Sequence, residues 1–217
     1  MGNSGPKEKN KKETILDGCF KLLLQKREGN ITVTDLEKIM GVTRGKIFYY
    51  YKDMDEIIRL TIEYYFQKVI DYFSFFYNED KTTLWNFLFD YVENWKRFDQ
   101  SIVEVTGDGA SSVINFFLHA SASHPDFEEK IKSLFDRELK CWESVLGKAI
   151  ESGEIRANVD VPVAATKFHC LHMGVMVQSY FVPYSFKANT LQMLFISLYE
   201  DIKKPSEISS EKKNIFG

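Results

Sequence analysis

Cysteine is scarce in this 217-residue sequence, which has only Cys19, Cys141 and Cys170. An odd number of widely spaced cysteines set among apolar residues provides no disulfide framework, which favours a reducing compartment. The sequence also lacks any uninterrupted run of about 18 apolar residues, and its polar N-terminal stretch has no apolar segment of the signal-peptide type. These absences predict a cytoplasmic protein without membrane-spanning segments.

An overall excess of positive charge is missing as well, because 28 Lys and Arg residues stand against 31 Asp and Glu residues, for a net charge of −3. The distribution is uneven, however. Residues 1–52 contain 11 basic and 6 acidic residues, a net charge of +5, which leaves 17 basic and 25 acidic residues, a net charge of −8, in residues 53–217. This asymmetry predicts an N-terminal part that faces DNA and a separate acidic body.

Segments with β character are few. Only residues 31–33 and 155–161 have it, and both are too short to found a sheet. The long segments repeat their apolar residues at helical spacing, as Ile15, Cys19 and Leu23 do within the first of them. A chain with 44% hydrophobic and 15% aromatic residues can bury a substantial core. The predicted fold class is therefore all-α.

Three helix starts fit into about two dozen residues near the N-terminus. Thr32 and Asp35 form a capping-box pattern, with Asp in place of the usual Glu, and they predict a short helix. Gly41 is placed to stop that helix in the left-handed conformation. Thr43 is expected to cap a second short helix, and Asp53, with a glutamate three residues later, is expected to cap a third and longer one.

The stretch TVTDLEKIMGVTRGKIFYYYKDMDEI resembles the DNA-binding segment of TetR-family transcriptional regulators, and the resemblance covers roughly residues 12–60. It consists of a Thr-Val opening, a Gly-Val turn, a recognition-helix start, an aromatic cluster and a polar cap. These features are Thr32-Val33, Gly41-Val42, Thr43-Arg44-Gly45, Phe48-Tyr49-Tyr50-Tyr51 and Asp53. The resemblance implies an N-terminal three-helix helix-turn-helix domain at residues 1–53. A linker helix would join it to a C-terminal helical domain at residues 54–217 that binds an effector and forms the dimer.

A recognition helix in the major groove needs little bulk in its first turn and a hydroxyl or cation near phosphate. Arg44 is suited to read a guanine edge, and Phe48 or Tyr49 to contact a thymine methyl group. The resemblance further assigns a phosphate contact to Tyr50. The residues predicted to contact DNA are Thr32, Thr43, Arg44, Gly45, Lys46, Phe48, Tyr49, Tyr50 and Lys52. The alternative for the aromatic residues of this segment is that they pack in the core of the small domain. Core packing is the preferred interpretation for Ile47 and for Tyr51.

The sequence departs from the family pattern at three positions. Glu37 and Met40 stand where the family favours alanine, and Met54 stands where a lysine usually contacts the phosphate backbone. Lys52 lies close enough in sequence to supply the missing charge, and the phosphate role is assigned to it for that reason.

An effector pocket is predicted in the C-terminal domain, bounded by residues 84–98, 110–121 and 165–181. The predicted lining residues are Trp95, Phe98, Phe117, Phe168, His172 and Met176, with the histidine as the polar group that orients the ligand. A small hydrophobic or aromatic effector follows from this composition. The same composition is equally compatible with a solid core.

A homodimer is expected, because paired helix-turn-helix units engage half-sites about one helical turn apart. The resemblance assigns its interface to helices at residues 125–151 and 161–181. The apolar stripe considered for this interface is Ile131, Phe135, Trp142, Val145, Leu146 and Ile150. An intramolecular core would use the same residues.

No pattern in the sequence predicts a cofactor or a metal site. His169 and His172 lie on one helix face, but no second ligand pair accompanies them, so packed or pocket-lining histidines are preferred. Gly107-Asp108-Gly109 lacks the third glycine of a nucleotide-binding loop. The sequence thus predicts a ligand-responsive repressor of double-stranded operator DNA and no enzyme. The alternatives are a helical small-molecule-binding protein or an enzyme, in either case without regulatory DNA binding, and a purely helical interaction module.

Overall fold

A computed structural model of the protein describes residues 6–26, 29–78, 83–106, 111–123, 126–182 and 188–205. Within these residues the chain forms nine α-helices. They are α1 Pro6–Gln25, α2 Val33–Met40, α3 Arg44–Tyr50, α4 Met54–Asn78, α5 Leu84–Thr106, α6 Ser111–Ser123, α7 Phe127–Glu151, α8 Val161–Phe181 and α9 Ala188–Ile202. Pairing of β type is limited, in this part of the chain, to one isolated bridge between Ile155 and Lys203. The all-α prediction is confirmed.

None of the described helices is both long enough and apolar enough to cross a membrane.

The start of α2 is held by the predicted capping box. The carboxylate of Asp35 accepts a hydrogen bond from the Thr32 N–H at 2.9 Å, and Thr32 Oγ1 accepts one from the Asp35 N–H at 3.3 Å. Lys26, which follows α1, adds an ion pair to Asp35 at 2.9 Å. Hydrogen bonds from Lys26 and Thr32 hold the pKa of Asp35 well below its ordinary value. Gly41 ends the helix with φ 64°, as predicted.

The start of α3 differs from the prediction. Thr43 occupies the N-cap position, but its side chain makes no capping hydrogen bond. The exposed N–H of Arg44 instead donates to Glu37 Oε1, a residue of α2, at 2.6 Å. A carboxylate from the preceding helix therefore satisfies a free N–H group at the start of α3.

Helix α4 begins as predicted, because Asp53 Oδ1 accepts from the Glu56 N–H at 2.8 Å. Further along, α4 packs on α1, where the ring of Tyr65 stacks on that of Phe20 with 2° between the planes. The buried apolar residues form one contiguous cluster from α1 to α9. A division into domains at residues 53 and 54 stays a prediction.

The second half of the core is centred on Trp142 of α7, which has no exposed surface. Its ring stacks on Phe168 of α8 with 4.8 Å between centroids, and the ring of Phe87 from α5 meets it edge-on at the same distance. Val145 and Leu146 are buried with it. The middle of the α7 stripe is therefore intramolecular core and not a dimer interface, because α8 and α5 of the same subunit cover it.

The segment between α7 and α8 ties three helices together. Gly153 adopts φ 75° and lets the chain reverse direction. The carboxylate of Glu154 then accepts hydrogen bonds from the N–H groups of Leu84 and Trp85, each at 2.8 Å, and so caps the start of α5. The Arg156 N–H donates to the Ile202 carbonyl at 3.0 Å, which fixes the end of α9.

Candidate DNA-recognition helix and ligand cavity

Helix α3 presents a basic and aromatic surface to solvent. Thr43, Arg44, Gly45 and Lys46 are all exposed, and 74% of Tyr49 is exposed. The helix contains no acidic residue. Cationic and hydroxyl groups contact phosphates, and arginine reads base edges, so this surface has the chemistry of a DNA-contacting face.

The inner side of α3 holds the helix against the rest of the protein. Ile47 has no exposed surface, and the buried Tyr51, just after the helix, donates its hydroxyl hydrogen to the Lys12 carbonyl at 3.0 Å. Both residues are core residues, in agreement with the preferred interpretation. Phe48 and Tyr50 are half-buried and pack against the same core. They lie at the border between the core and the exposed face.

The remaining residues predicted to contact DNA lie just before α2 and just after α3. Thr32 is exposed, but its hydroxyl donates to Asp35 at 2.8 Å, so its hydrogen is already used within the capping box. Lys52 is exposed, with Nζ 3.8 Å from the Asp53 carboxylate. Met54, at the family's lysine position, is half-buried and packs against the core. Lys52, two residues before Met54, is therefore the basic residue nearest in sequence to the position where the family's lysine is missing.

A cavity of about 50 Å³ lies in the C-terminal half, between α5, α6, α7 and α8. Four of the six predicted lining residues surround it, namely Trp95, Phe98, Phe117 and His172. The other two do not. Phe168 fills the core against Trp142, and Met176 is buried away from the cavity while Met173 lines it.

Nine lining residues were not predicted from the sequence, and they are Phe87, Tyr91, Val113, Leu134, Phe135, Glu138, Cys141, Trp142 and Met173. Five of them belong to α7, which the resemblance assigned to the dimer interface. The cavity lies between α7 and α8. Because α7 was expected at the dimer interface, none of its residues was predicted to line the cavity. The burial of Trp142 among aromatic residues on neighbouring helices is the structural feature that reveals it.

Glu138 is the anionic group of the cavity wall, and it lies in a cluster of polar side chains from three helices. Tyr91 of α5 donates its hydroxyl hydrogen to Glu138 Oε1. On α8, His169 Nδ1 lies 3.4 Å from Glu138 Oε2, and His172 Nδ1 lies 3.7 Å from Oε1. Burial opposes ionisation of Glu138, but the interaction of its carboxylate with the two neighbouring histidines outweighs burial and holds the pKa of the carboxyl well below its ordinary value.

Both histidines are buried and face a carboxylate, and His172 also lines the cavity. Cys170, between them in sequence, is exposed on another side of α8. Among the described residues, no group of three His, Cys, Asp or Glu side chains is arranged to hold a metal ion.

Solved structures with the same fold are numerous, although no protein-family model and no curated protein matches this sequence. A TetR-family transcriptional regulator from Cytophaga hutchinsonii aligns with a TM-score of 0.67 and 16% identity, over 94% of this chain and all of its own. A putative transcriptional regulator from Saccharomonospora viridis, solved with choline, gives 0.69 and 14%, over 91% and 100%. SmeT in complex with triclosan gives 0.63 and 17%, over 91% and 93%. This chain has the TetR fold.

In this TetR fold, α6 connects the cavity with the N-terminal helices. Val113 and Phe117 of α6 line the cavity. On the same helix, the buried Asn115 donates from Nδ2 to the Leu24 carbonyl at the end of α1, at 2.8 Å. His119 Nε2 lies 2.8 Å from the Lys26 carbonyl. Helix α6 therefore contacts both the cavity and α1, the helix on which α2 packs.

Exposed large apolar residues of the C-terminal half of the TetR fold lie on α5, on α6 and on the last two helices. Val163, Val177 and Phe181 of α8 are exposed, the last by 73%, and so are Met193 and Leu194 of α9. The exposed residues of α7 are mainly charged or polar. Among the described residues, exposed large apolar side chains thus occur on α8 and α9 and not on α7.

Proposed function

We propose that this protein is a dimeric, ligand-responsive transcriptional regulator that binds double-stranded operator DNA in the cytoplasm. In this proposal it is a repressor, and a small molecule in the cavity releases it from the operator. The carrying observation is the exposed basic face of α3, with Arg44 and Lys46 on a helix whose opposite side is anchored by Ile47. The fold shared with TetR-family regulators supports it.

DNA recognition is proposed to use the exposed residues of α3 in the major groove. Arg44 is the candidate for a bidentate contact with guanine, and Tyr49 for an apolar contact with a thymine methyl group. Lys46, Thr43 and Lys52 are candidates for phosphate contacts, which position the helix without reading sequence. Phe48 and Tyr50 are half-buried, and their exposed parts are candidates for further DNA contacts at the border of this face.

The dimer is proposed to form through α8 and α9. Val177 and Phe181 lie four residues apart on one face of α8, and this exposed apolar face is the surface that a second copy would cover. Met193 is exposed on α9, which packs against α8. Closed two-fold association is the commonest way to bury such a surface. It would also supply the paired recognition helices that two operator half-sites need.

Ligand sensing is proposed to work through α6. The cavity of about 50 Å³ is smaller than typical ligand pockets of about 300 Å³ or more, so a ligand must move lining side chains such as Phe117. Asn115 on the same helix is hydrogen-bonded to the end of α1. Such movement therefore shifts α1 and, with it, α2 and α3, the helices proposed to face DNA. The coupling free energy between ligand binding and operator binding then equals the difference between the ligand's binding free energies for the two conformations. The proposed activity is binding, without a catalytic step.

Selection of bound duplexes from a random pool tests the regulatory function directly. The expected result is a palindromic sequence whose two halves lie about one helical turn apart. Failure to enrich any duplex, with a folded protein at low salt, would refute DNA recognition. An enriched sequence without symmetry would retain DNA binding and refute the paired arrangement.

A further inference from the structure

The polar end of the cavity carries a carboxylate that is not paired with a lysine or an arginine. Glu138 is the acidic residue of its wall, and no lysine or arginine lines the cavity in the described part of the chain. The basic side chains recorded beside its carboxylate, among the residues that the structure describes, are His169 and His172, at 3.4 and 3.7 Å. Burying a carboxylate costs free energy unless it is paired, so this wall is suited to a ligand that brings the missing charge.

Hydrogen bonding in the same cluster leaves an acceptor in the wall. The hydroxyl hydrogen of Tyr91 is donated to Glu138, so the contact of 3.0 Å between Tyr91 Oη and His172 requires the hydrogen to be on Nδ1. In the neutral ring, His172 Nε2 is then an acceptor. It is buried and has no hydrogen-bond partner among the described residues, and His172 is only 2% exposed. An anionic ligand would therefore meet a carboxylate and a second acceptor.

The rest of the wall is predominantly aromatic. Seven of the thirteen lining residues are Phe, Tyr or Trp, among them Trp95, Phe98 and Phe135. Aromatic faces carry negative electrostatic potential and attract cations, most strongly where water is excluded. Trp142 adds a buried indole N–H that has no acceptor among the described residues, and an oxygen of the ligand would satisfy it. The wall is thus complementary to a compact organic cation with one acceptor atom.

We infer that the effector is an organic cation of the ammonium class, whose positive charge lies beside Glu138 within the aromatic wall. This inference rests on the ligand-sensing role proposed above and adds a positive charge to the small hydrophobic or aromatic effector expected from composition. The half-buried lining residues Phe117, Phe135 and Met173 are the side chains that must move to admit it, because the cavity of about 50 Å³ is smaller than such a ligand.

Three meta-substituted phenols of similar size and different charge test the inference on the full-length protein. They are meta-hydroxyphenyltrimethylammonium, its uncharged carbon isostere meta-tert-butylphenol, and the anion meta-hydroxybenzenesulfonate. Calorimetry and the fluorescence of Trp95 and Trp142, both in the wall, report binding at neutral pH. We expect the cation to bind about ten-fold or more tightly than its isostere, and the sulfonate to bind most weakly.

Glu138→Gln should abolish that preference, and Glu143→Gln, a half-buried change elsewhere on α7, should leave it intact. The comparison between isosteres uses the native protein, so it stays decisive if Glu138→Gln does not fold. If meta-tert-butylphenol or the sulfonate binds as tightly as the cation or more tightly, the charge assignment is overturned, while ligand sensing is not. Absence of binding by all three would overturn the cation inference. Operator selection judges DNA recognition independently of these outcomes.

Discussion

Glu37 caps the helix that carries Arg44, since its Oε1 accepts a hydrogen bond from the Arg44 N–H at 2.6 Å. The two residues belong to consecutive helices, so the bond fixes the start of α3 relative to α2. Glu37 is also one of the positions where the sequence departs from the family's alanine. The departure therefore has a structural role, because the neighbouring Thr43 provides no side-chain cap.

We predict that Glu37→Ala lowers the free energy of unfolding by about 1 kcal/mol, the usual cost of losing an N-terminal cap. Glu37→Gln should cost much less, because its amide oxygen can accept the same hydrogen bond. Urea unfolding at neutral pH measures both. Equal losses for the two variants would mean that the carboxylate acts by its charge and not as a cap.

The elements of the fold were predictable because each has a local signal. The capping pair Thr32 and Asp35 marks the start of α2, and Gly41 marks its end, so this short helix could be placed from sequence alone. The cap on α3 was not predictable, since it joins residues seven apart whose contact depends on the angle between two helices. Spacing finds local hydrogen bonds and misses those that tertiary packing creates.

The site was predictable only in part for a similar reason. Periodicity identifies the apolar stripe of α7, but a stripe buried against α8 and one buried against a second subunit have the same pattern. Trp142 could be assigned to either. Glu138 could not be recognised at all, because a glutamate in an amphipathic helix has the spacing of a solvent-exposed residue until α5 and α8 are placed around it.

Arg44 and Lys46 should affect DNA binding in different ways. Arg44→Ala removes the proposed base contact and should relax the preference at one operator position, at a cost of about 1–3 kcal/mol. Lys46→Ala should weaken binding to all sequences and reduce the salt slope by about one unit. Lys132→Ala, on the exposed face of α7, serves as the control. Unchanged base preference and salt slope in both variants would refute the assignment of α3.

The stabilising contribution of Asp35 should depend on pH. Hydrogen bonds from Lys26 and Thr32 lower its pKa in the folded protein, so the contribution is fully present above the ordinary value of about 4 and is lost as the pH falls below it. The difference in unfolding free energy between the native protein and Asp35→Asn should therefore be largest near neutral pH and shrink in acid. A difference that stays constant from neutral to acidic pH would mean that Asp35 contributes only a neutral hydrogen bond.

The dimer should separate when charge is introduced on α8 and not on α7. Val177 is 44% exposed within one subunit, so Val177→Glu should leave the fold intact and yield monomers by light scattering at micromolar concentration. Lys132→Glu on α7 should remain dimeric. A native protein that is already monomeric would refute the dimer, and a dimeric Val177→Glu variant would place the interface elsewhere.

Asn115 should determine how strongly a ligand affects operator binding. Its Nδ2 donates to the Leu24 carbonyl from a buried position, and α6 extends from there to the cavity through Val113 and Phe117. Asn115→Ala removes the bond and leaves a buried carbonyl without its donor, so we expect a loss of about 1–3 kcal/mol in stability. The more specific expectation is a smaller ratio between operator affinities measured without and with a bound cavity ligand, while the ligand's own affinity for the free protein changes little. That ratio reports the coupling free energy between the two sites, which a loss of general stability would not alter.

Leu118→Ala, at an exposed position of the same helix, should keep the native ratio. If Asn115→Ala keeps it too, the signal does not pass through the contact between α6 and α1, and the linker helix α4 becomes the route to test.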